Sequence, residues 1–123
     1  MTRFGIGTDI ESVSRFADLV ERNDPLIQRV FTPDEIRYSL ASQRPGERFA
    51  ARFAGKEAVI KALYDLGITG IAIPAVEVLK RPNGAPFVRV TGLPFDHVTI
   101  RISLSHTREW ATAFALAIDD ADT

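Results

Sequence analysis

One alanine-rich stretch, residues 48–66, most constrains what this chain can fold into. Alanine and straight-chain side chains dominate it, and because they lose little conformational entropy on coiling, the sequence predicts its longest helix here. The larger apolar side chains of the stretch fall within one sector of the helical wheel, which we expect to face the core. These side chains are Phe49, Phe53, Ile60, Leu63 and Tyr64.

Glu57 and Lys61 lie four residues apart at the edge of that sector. A carboxylate beside a lysine, flanked by arginines, suits the binding of a metal ion and phosphates. The plainer alternative is an ordinary helix salt bridge, worth only about 0.2–0.5 kcal/mol, and for this pair alone it is the favoured interpretation. Small side chains surround the pair, so that other backbone or a ligand can approach closely. They are Ala50, Ala54, Ala58 and Ala62.

The composition narrows the kinds of site that are possible. The chain of 123 residues is long enough for its own core, and we expect a single domain over residues 1–123. Cysteine is absent and only two histidines occur, which excludes thiolate chemistry and a histidine-rich metal site. Any metal must therefore bind to carboxylates, which favours Mg²⁺, Mn²⁺ or Ca²⁺.

Net charge and hydropathy limit the classes of partner expected for this chain. A formal net charge of -1 gives no global basic field for nucleic acid. No apolar run is long enough to cross a bilayer, so no membrane association is expected. The first residues run directly into a strand pattern without the apolar segment of a signal peptide, which predicts a cytoplasmic protein.

The N-terminal segment, residues 4–11, has the pattern of a strand. Gly5 and Gly7 are poor strand formers and indicate a close approach of backbone or a bulge. Asp9 and Glu11 are two residues apart, so on an extended chain both carboxylates point the same way and form a metal-competent pair. On spacing alone, a solvated strand end is the favoured alternative.

A helix capped by Ser12 is predicted to run to about Arg22. Arg15 and Arg22 are seven residues apart on it, with Leu19 between them, which gives a basic edge beside an apolar side chain. Such an edge suits docking of an acidic partner helix. The alternative is an ordinary solvated helix face, and without a further observation it is favoured.

The rest of the chain alternates turns and elements. A short helix is expected to begin with Pro25 at its first position, and Thr32 and Glu35 predict a capping box for the next helix. A turn is predicted over residues 43–46, and Gly67 or Gly70 is expected to end the long helix. Strands are predicted over residues 75–80, 87–90, 98–105 and 110–118, with a tight turn at residues 81–86.

Two features of the last strand and tail stand out. Alanines at alternate positions from 111 to 117 indicate a tightly covered face. The acidic tail, residues 119–123, is expected to fray.

The predicted architecture is α+β, with helices packed on an antiparallel sheet that the first strand joins.

Four segments in this order and spacing resemble the bacterial holo-acyl-carrier-protein synthases, the short type of 4'-phosphopantetheinyl transferase. They are Gly5–Ile10, Arg52–Ala62, Gly84–Pro86 and Ser103–His106. The resemblance implies the fold of those transferases in a single module. It also implies their reaction, in which the phosphopantetheine arm of coenzyme A moves to a serine of apo acyl carrier protein, 3',5'-ADP is released and Mg²⁺ is used. Fatty acid biosynthesis, a part of lipid metabolism, is the implied context.

The resemblance also implies roles for individual residues. Asp9 and Glu57 match the metal ligands, and Lys61 matches the lysine at the pyrophosphate. Together these three form the implied catalytic set. The implied coenzyme A contacts and the implied carrier-docking residues are two further sets. The first comprises Arg52, Lys61, Gly84, Pro86, Ser105 and His106, and the second comprises Arg15, Leu19 and Arg22.

Two departures from the family pattern bear on the site. Residues 63–70 replace a short glycine-rich loop that many members carry after the helix. The Asp9-x-Glu11 spacing is similar to that of the larger, two-module transferases and makes Glu11 a candidate third metal ligand.

Because one module holds half of the cleft of those larger relatives, the resemblance implies a homotrimer. Asp9 and Glu57 of one subunit would meet His106 or the last hairpin of a neighbour, with the alternating alanines at the interface. A monomer with those alanines under its own helices is the alternative.

Three hypotheses follow for the function. The leading one is the transferase, with the nucleophilic serine on the carrier and the general base open between a water at the metal and an aspartate of the carrier. The second is a non-catalytic module that binds coenzyme A or a carrier protein. The third is an unrelated Mg²⁺-dependent phosphotransferase, which no glycine-rich nucleotide motif supports.

Overall fold

The computed structural model describes residues 1–121. The chain opens with strand β1 and continues through four helices, a short 3₁₀ turn at Ile73–Ala75 and four further strands. The helices are α1 (Val13–Glu21), α2 (Leu26–Val30), α3 (Pro33–Leu40) and α4 (Pro45–Asp65). The strands are β1 (Arg3–Ser12), β2 (Val76–Lys80), β3 (Pro86–Val90), β4 (Val98–His106) and β5 (Trp110–Asp119).

The predicted α+β class is confirmed, and the strands form two antiparallel sheets rather than one. In the first sheet β5 lies between β1 and β4, with Asp9 opposite Ala113 and Ser105 opposite Thr112. The second sheet is the hairpin of β2 and β3. Helix α4 packs across the inner face of the first sheet, so it reaches both of the strands that carry the predicted site residues.

Strand β1 approaches α4 so closely that two of its positions have no room for a side chain. A Cβ atom on Gly5 would lie 2.1 Å from the carbonyl oxygen of Ala62, and one on Gly7 would lie 2.1 Å from that of Ala58. The expected close backbone approach is therefore confirmed, and it holds Asp9, two residues beyond Gly7, against the helix.

The alternating alanines of β5 are buried under α4 of the same chain. Ala111, Ala115 and Ala117 are fully buried, and Ala113 nearly so. Ala113, Ala115 and Ala117 pack with alanines of α4 in one apolar cluster, and Ala111 packs with alanines of α4 in the adjacent cluster. The covered face is confirmed, but the expectation that these alanines form an interface between subunits is wrong, because their own helix already covers them.

Helix α4 buries more than the one sector predicted from the wheel. Phe49 and Leu63 are buried as expected, and Phe53 and Ile60 are half-buried, but Tyr64 is 70% exposed. One side of the helix packs on the sheet through alanines and another packs on α1 and α2 through aromatic rings. Because small residues fill the side against the sheet, a wheel weighted by large apolar side chains misplaces the core boundary.

The helix termini follow the predicted caps, with small shifts. Ser12 accepts from the amide of Arg15, and Thr32 and Glu35 form the reciprocal capping box. Helix α2 begins at Leu26, with Pro25 in the capping position rather than the first turn. Helix α4 begins at Pro45, so the predicted turn over residues 43–46 is shorter than expected, because proline is favourable in a first helical turn. Gly67 ends the helix in the left-handed region, with a φ of 83°.

The C-terminal residues are less free than the acidic composition suggests. Asp119 is the last residue of β5 and is buried, with its carboxylate 2.8 Å from the Arg3 guanidinium and 2.9 Å from His97 Nδ1. The expected fraying at Asp119 is therefore wrong. Asp122 and Thr123 lie outside the described residues.

In the described part of the chain, no helix combines the length and the apolar character needed to cross a bilayer.

Candidate active site

The carboxylate cluster, which we define as Asp9, Glu11 and Glu57, lies where β1 crosses α4. Asp9 and Glu11 point to the same side of β1, as expected for an extended chain, and the Asp9 charge acts on both of the other carboxylates. Lys61 reaches across from α4, with Nζ 2.9 Å from the carbonyl oxygen of Thr8 and 3.4 Å from Asp9 Oδ1. Lys61 therefore contacts strand β1. The alternative of a simple salt bridge with Glu57 along the helix did not predict this contact.

The carboxyl groups of this cluster make one another's ionisation less favourable. Burial raises the pKa of the Glu11 carboxyl to about 8, helped by a hydrogen bond that the protonated carboxyl donates to Asp9 and by the Asp9 charge. Burial also raises the pKa of Glu57, again with a contribution from the Asp9 charge. Arg15 lies 3.2 Å from Glu11 Oε1 and opposes the rise there. Such a group of neighbouring carboxylates favours a bound cation.

The donor set fits a magnesium ion bound in part by its substrate. Asp9 Oδ2 is buried, and with Glu11 ionised it has no hydrogen-bond partner, so one carboxylate oxygen is available to a ligand. Residues 1–121 contain no group of three histidine, cysteine, aspartate or glutamate side chains arranged to hold a metal by themselves. Mg²⁺ is commonly held by one or two carboxylates together with waters and substrate phosphates, so Asp9 and Glu57 suffice as the protein ligands.

A second group of predicted residues surrounds what we call the cationic cavity, a surface cavity of about 340 Å³. Four of the residues implied to contact coenzyme A line it, which are Arg52, Gly84, Pro86 and His106. Helix α4 supplies Arg52, the hairpin turn supplies Gly84 and Pro86, and the end of β4 supplies His106. The structure thus brings together residues that are more than fifty positions apart in the sequence.

A family model described as the 4'-phosphopantetheinyl transferase superfamily matches residues 5–115, a span that includes both groups of residues. The chain belongs to that superfamily. The resemblance inferred from the four sequence motifs is confirmed, and the chain is an enzyme, a phosphopantetheinyl transferase.

Curated relatives of this transferase match along almost its whole length. The holo-[acyl-carrier-protein] synthase of Moorella thermoacetica is 40% identical over 116 residues, covering 89% of this chain and 90% of that protein. The enzyme of the same name from Clavibacter michiganensis is 39% identical over 123 residues, covering 95% and 97%.

Solved structures share the fold of the transferase. The acyl carrier protein synthase of Mycobacterium tuberculosis is 34% identical with a TM-score of 0.74, covering 92% of this chain and 95% of that one. The complex of ACPS with CoA from Chronobacterium ammoniagenes is 26% identical with a TM-score of 0.80, covering 96% and 98%.

Ser105 does not line the cationic cavity of the transferase with its neighbour His106. Successive side chains of a strand point to opposite faces, and Ser105 lies on the outer face of β4. There it lines a different cavity of about 510 Å³, together with Asp9, Lys61 and Phe114. On one chain Ser105 is therefore separated from the four implied coenzyme A contacts that line the cationic cavity.

The implied docking helix of the transferase presents its arginines but not its leucine. Arg15 and Arg22 are more than half exposed. Leu19 is buried in the helical core formed with α2 and α4, because the apolar stripe of α1 faces inward. The expectation that Leu19 lies on the surface between the arginines is therefore wrong.

The lining of the cationic cavity includes six residues besides the four predicted ones, and three of the six carry a cationic or aromatic group. Tyr38, Arg48 and Lys80 line it alongside Arg52. The spacing of Arg48 and Arg52, one helical turn apart, was a usable signal for a shared anion site. Tyr38 comes from α3 and Lys80 from β2, and no local pattern connects either residue with α4.

Proposed function

We propose that this protein transfers the 4'-phosphopantetheine group of coenzyme A to a serine of apo acyl carrier protein, releases 3',5'-ADP and depends on Mg²⁺. One observation carries the proposal. Helix α4 contributes residues both to a cavity lined by cations and to a separate carboxylate cluster. The first suits the phosphates of a nucleotide, and the second suits a divalent cation at the phosphates that react. The names of the curated relatives and the CoA complex of a solved relative support the choice of substrates.

The carboxylate cluster supplies the metal site in this proposal. Asp9 and Glu57 hold Mg²⁺, with Glu11 as a third ligand or as a neighbour that adds negative charge. When bound, the ion would neutralise charge on the reacting phosphates. Lys61 stands beside Asp9 with a side chain that is half exposed, so its ammonium can also contact the pyrophosphate. In phosphoryl transfer such positioning and charge neutralisation provide most of the catalysis.

The cationic cavity holds the nucleotide end of the donor. Arg52 and His106 contact its phosphates, and Gly84 and Pro86 form the wall beside the adenine. Arg52 is buried and its Nε has no hydrogen-bond partner. Burial lowers its pKa because the charged form is less stable away from water, and a nearby anion would stabilise that form. A bound phosphate would provide the missing acceptor.

The two sites face different directions on one chain, which supports active sites between subunits; the number of three subunits is taken from the family resemblance. Arg52 and Glu57 are five residues apart on α4, and at about 100° per residue they point roughly 140° away from each other. A donor molecule that contacts both kinds of residue is therefore better placed between two chains. Ser105 lines the outer cavity together with Asp9 and Lys61, and His106 lines the cationic cavity, in agreement with this division.

The outer face of the first sheet is the surface we assign to the subunit contact. It carries large apolar side chains that are at least 43% exposed, and the outer cavity beside Asp9 opens on it. Further copies of this chain are the proposed occupants, because covering this face would complete the site at Asp9. The exposed side chains are Phe4, Ile6, Ile10, Trp110 and Phe114.

The carrier protein is proposed to dock on α1. Arg15 contacts Glu11 of the carboxylate cluster, and Arg22 pairs with Asp18 and Asp24 at the other end of the helix. On binding of an acidic carrier helix, the arginines would exchange these local partners for carboxylates of the carrier.

Cytoplasmic location stays a prediction of the sequence, which cell fractionation would test.

Product analysis tests the proposed reaction. Apo acyl carrier protein, coenzyme A and Mg²⁺ are incubated with the enzyme, and 3',5'-ADP is quantified by chromatography. The proposal expects one 3',5'-ADP for each carrier modified and none without carrier. Binding of coenzyme A without release of 3',5'-ADP, with several carriers, would favour the non-catalytic binding module instead.

A further inference from the structure

The ring of Tyr38 is surrounded by positive charge. The guanidinium carbons of Arg48 and Arg52 lie 4.1 and 4.0 Å from its centroid, and the ammonium of Lys80 lies 5.7 Å from it. All four residues line the cationic cavity. Aromatic faces attract such cations within about 6 Å, so the ring contacts all three groups at a favourable distance.

No ion pair in residues 1–121 offsets the mutual repulsion of these cations, although the more distant charge of Glu35 acts on Arg52. In residues 1–121, no carboxylate lies within 4.0 Å of the charged groups of Arg48, Arg52 or Lys80. Glu47 also lines the cavity, but its oxygens lie near Arg44, His106 and Arg108. The ring of Tyr38 is therefore the shared contact of the three cations in the absence of a ligand.

The backbone and the ring of Tyr38 contribute separately. Arg48 donates a hydrogen bond of 2.7 Å to the Tyr38 carbonyl oxygen, which a change of side chain leaves in place. Arg52 is buried, its Nε lacks an acceptor, and its guanidinium lies over the ring, with the Tyr38 hydroxyl as a further contact. Loss of the ring would free the guanidiniums to move apart or out of the cavity, since like charges repel.

We propose that Tyr38 is a positioning residue for the donor: its ring holds Arg48 and Arg52 in the orientation that binds the phosphates of the nucleotide end. This inference rests on the proposed function, because it assigns that end of the donor to the cationic cavity. It adds Arg48 to the phosphate ligands and gives α3 a role in donor binding. Tyr38 acts in this proposal through the two arginines.

Titration of the full-length protein with 3',5'-ADP in EDTA isolates this cavity from the metal site. The variant Tyr38→Leu is expected to bind the nucleotide about 5- to 30-fold more weakly, since removal of cation–π contacts worth about 1–2 kcal/mol corresponds to that factor. Tyr38→Phe keeps the aromatic face and is expected to bind within about 2-fold of the natural protein. The matched control is Tyr64→Leu, because Tyr64 is exposed on α4 outside the cavity.

Steady-state kinetics provide a readout that general loss of structure would not reproduce. Tyr38→Leu is expected to raise KM for coenzyme A with kcat and the KM for the carrier unchanged, because positioning of the phosphate ligands affects donor binding. Tyr38→Met, which fills the space with a flexible side chain that has no aromatic face, provides a second variant with the same expectation if the leucine variant does not fold.

The outcomes separate this inference from the function on which it rests. Failure of the natural protein to bind 3',5'-ADP overturns the assignment of the cavity and with it the proposed function. Tight binding by the natural protein and equally tight binding by a folded Tyr38→Leu or Tyr38→Met variant overturns only the role of Tyr38. Weakening by Tyr38→Phe as large as that by Tyr38→Leu also overturns it, because the hydroxyl would then be the group that matters.

Discussion

Lys56 Nζ lies 2.7 Å from Glu35 Oε1, and neither side chain is exposed to solvent. The pair joins α3 to α4, and Glu35 Oε2 also accepts a hydrogen bond of 2.7 Å from the amide of Val78 in β2. One carboxylate therefore connects two helices and the hairpin sheet. These are the elements that supply Tyr38, Arg52 and Lys80 to the cationic cavity.

Breaking this pair is expected to be costly. The variant Lys56→Met leaves the Glu35 charge buried without its cation and should lower the free energy of unfolding by about 3–5 kcal/mol. Urea unfolding followed by circular dichroism at a fixed protein concentration measures the change. Adding Glu35→Gln to Lys56→Met should restore part of the loss, because it removes the unpaired buried charge while the amide oxygen still accepts one of the two backbone hydrogen bonds.

The control for this prediction is an exposed ion pair. Arg37 and Asp34 lie 2.6 Å apart on α3 with both side chains more than half exposed. Arg37→Ala should change the free energy of unfolding by less than about 1 kcal/mol, as is usual for surface pairs. A loss for Lys56→Met no larger than that for Arg37→Ala would contradict the account of the buried pair.

Gly7→Ala tests the close contact between β1 and α4. The added Cβ would lie 2.1 Å from the carbonyl oxygen of Ala58, so backbone must shift. We expect a loss of at least about 1–3 kcal/mol in the free energy of unfolding, and lower turnover because Asp9 follows two residues later. Thr8→Ala on the exposed neighbour is the control for stability, and equal unfolding midpoints for the two variants would show that the contact is not tight.

The pH dependence of stability should reveal Asp119. The hydrogen bond from Arg3 lowers the pKa of its carboxyl, with further lowering from the Ala121 amide and His97. A depressed carboxyl pKa contributes stability that is present above the unfolded-state pKa of about 3.9 and is lost as the pH falls below it. Asp119→Asn should therefore flatten the dependence of the urea midpoint on pH between about 5 and 2.

Asp96→Asn serves as the control for that experiment, because Asp96 is exposed on the segment that leads into β4. It should leave the pH profile unchanged. If Asp119→Asn loses stability in acid as steeply as the natural protein, the carboxylate does not anchor the N-terminal strand to the end of β5 in the way described.

Local and long-range features of the molecule differed in how well the sequence predicted them. The capping box of Thr32 and Glu35 and the same-side placement of Asp9 and Glu11 depend on neighbours in the chain, and both were predicted. The second role of Glu35, its pairing with Lys56, joins residues 21 positions apart, and no local pattern encodes it. The burial of Leu19 and the exposure of Tyr64 were missed because they depend on how helices pack.

The same distinction applies to the candidate site. The residues that line the cationic cavity were found where a family motif marks them, as at Arg52 and His106. Tyr38 and Lys80 belong to no such motif, and their position near Arg52 follows from the packing of α3 and β2 on α4. The opposite directions of Ser105 and His106 follow from strand geometry, which a continuous sequence motif over both residues does not express.

A charge on the outer face of the first sheet should dissociate the proposed trimer. Ile6→Asp places a carboxylate on the apolar surface assigned to the subunit contact, where its desolvation would be unfavourable. Light scattering should show monomers, and turnover should fall because each active site requires two chains. Tyr64→Asp, an equally drastic change at an exposed aromatic residue of α4, should leave the assembly intact. A natural protein that stays monomeric and active at all dilutions would contradict the trimer.

The central claim is the transfer reaction, and the intact mass of apo acyl carrier protein after incubation with this protein, coenzyme A and Mg²⁺ tests it most directly. We predict a mass gain equal to one phosphopantetheine, absent with EDTA and slower by at least about 100-fold with Asp9→Asn, as for removal of a group that stabilises a transition-state charge. The control Asp96→Asn should behave as the natural protein. No mass gain on any of several apo carriers, or a gain that persists undiminished in EDTA, would contradict the account.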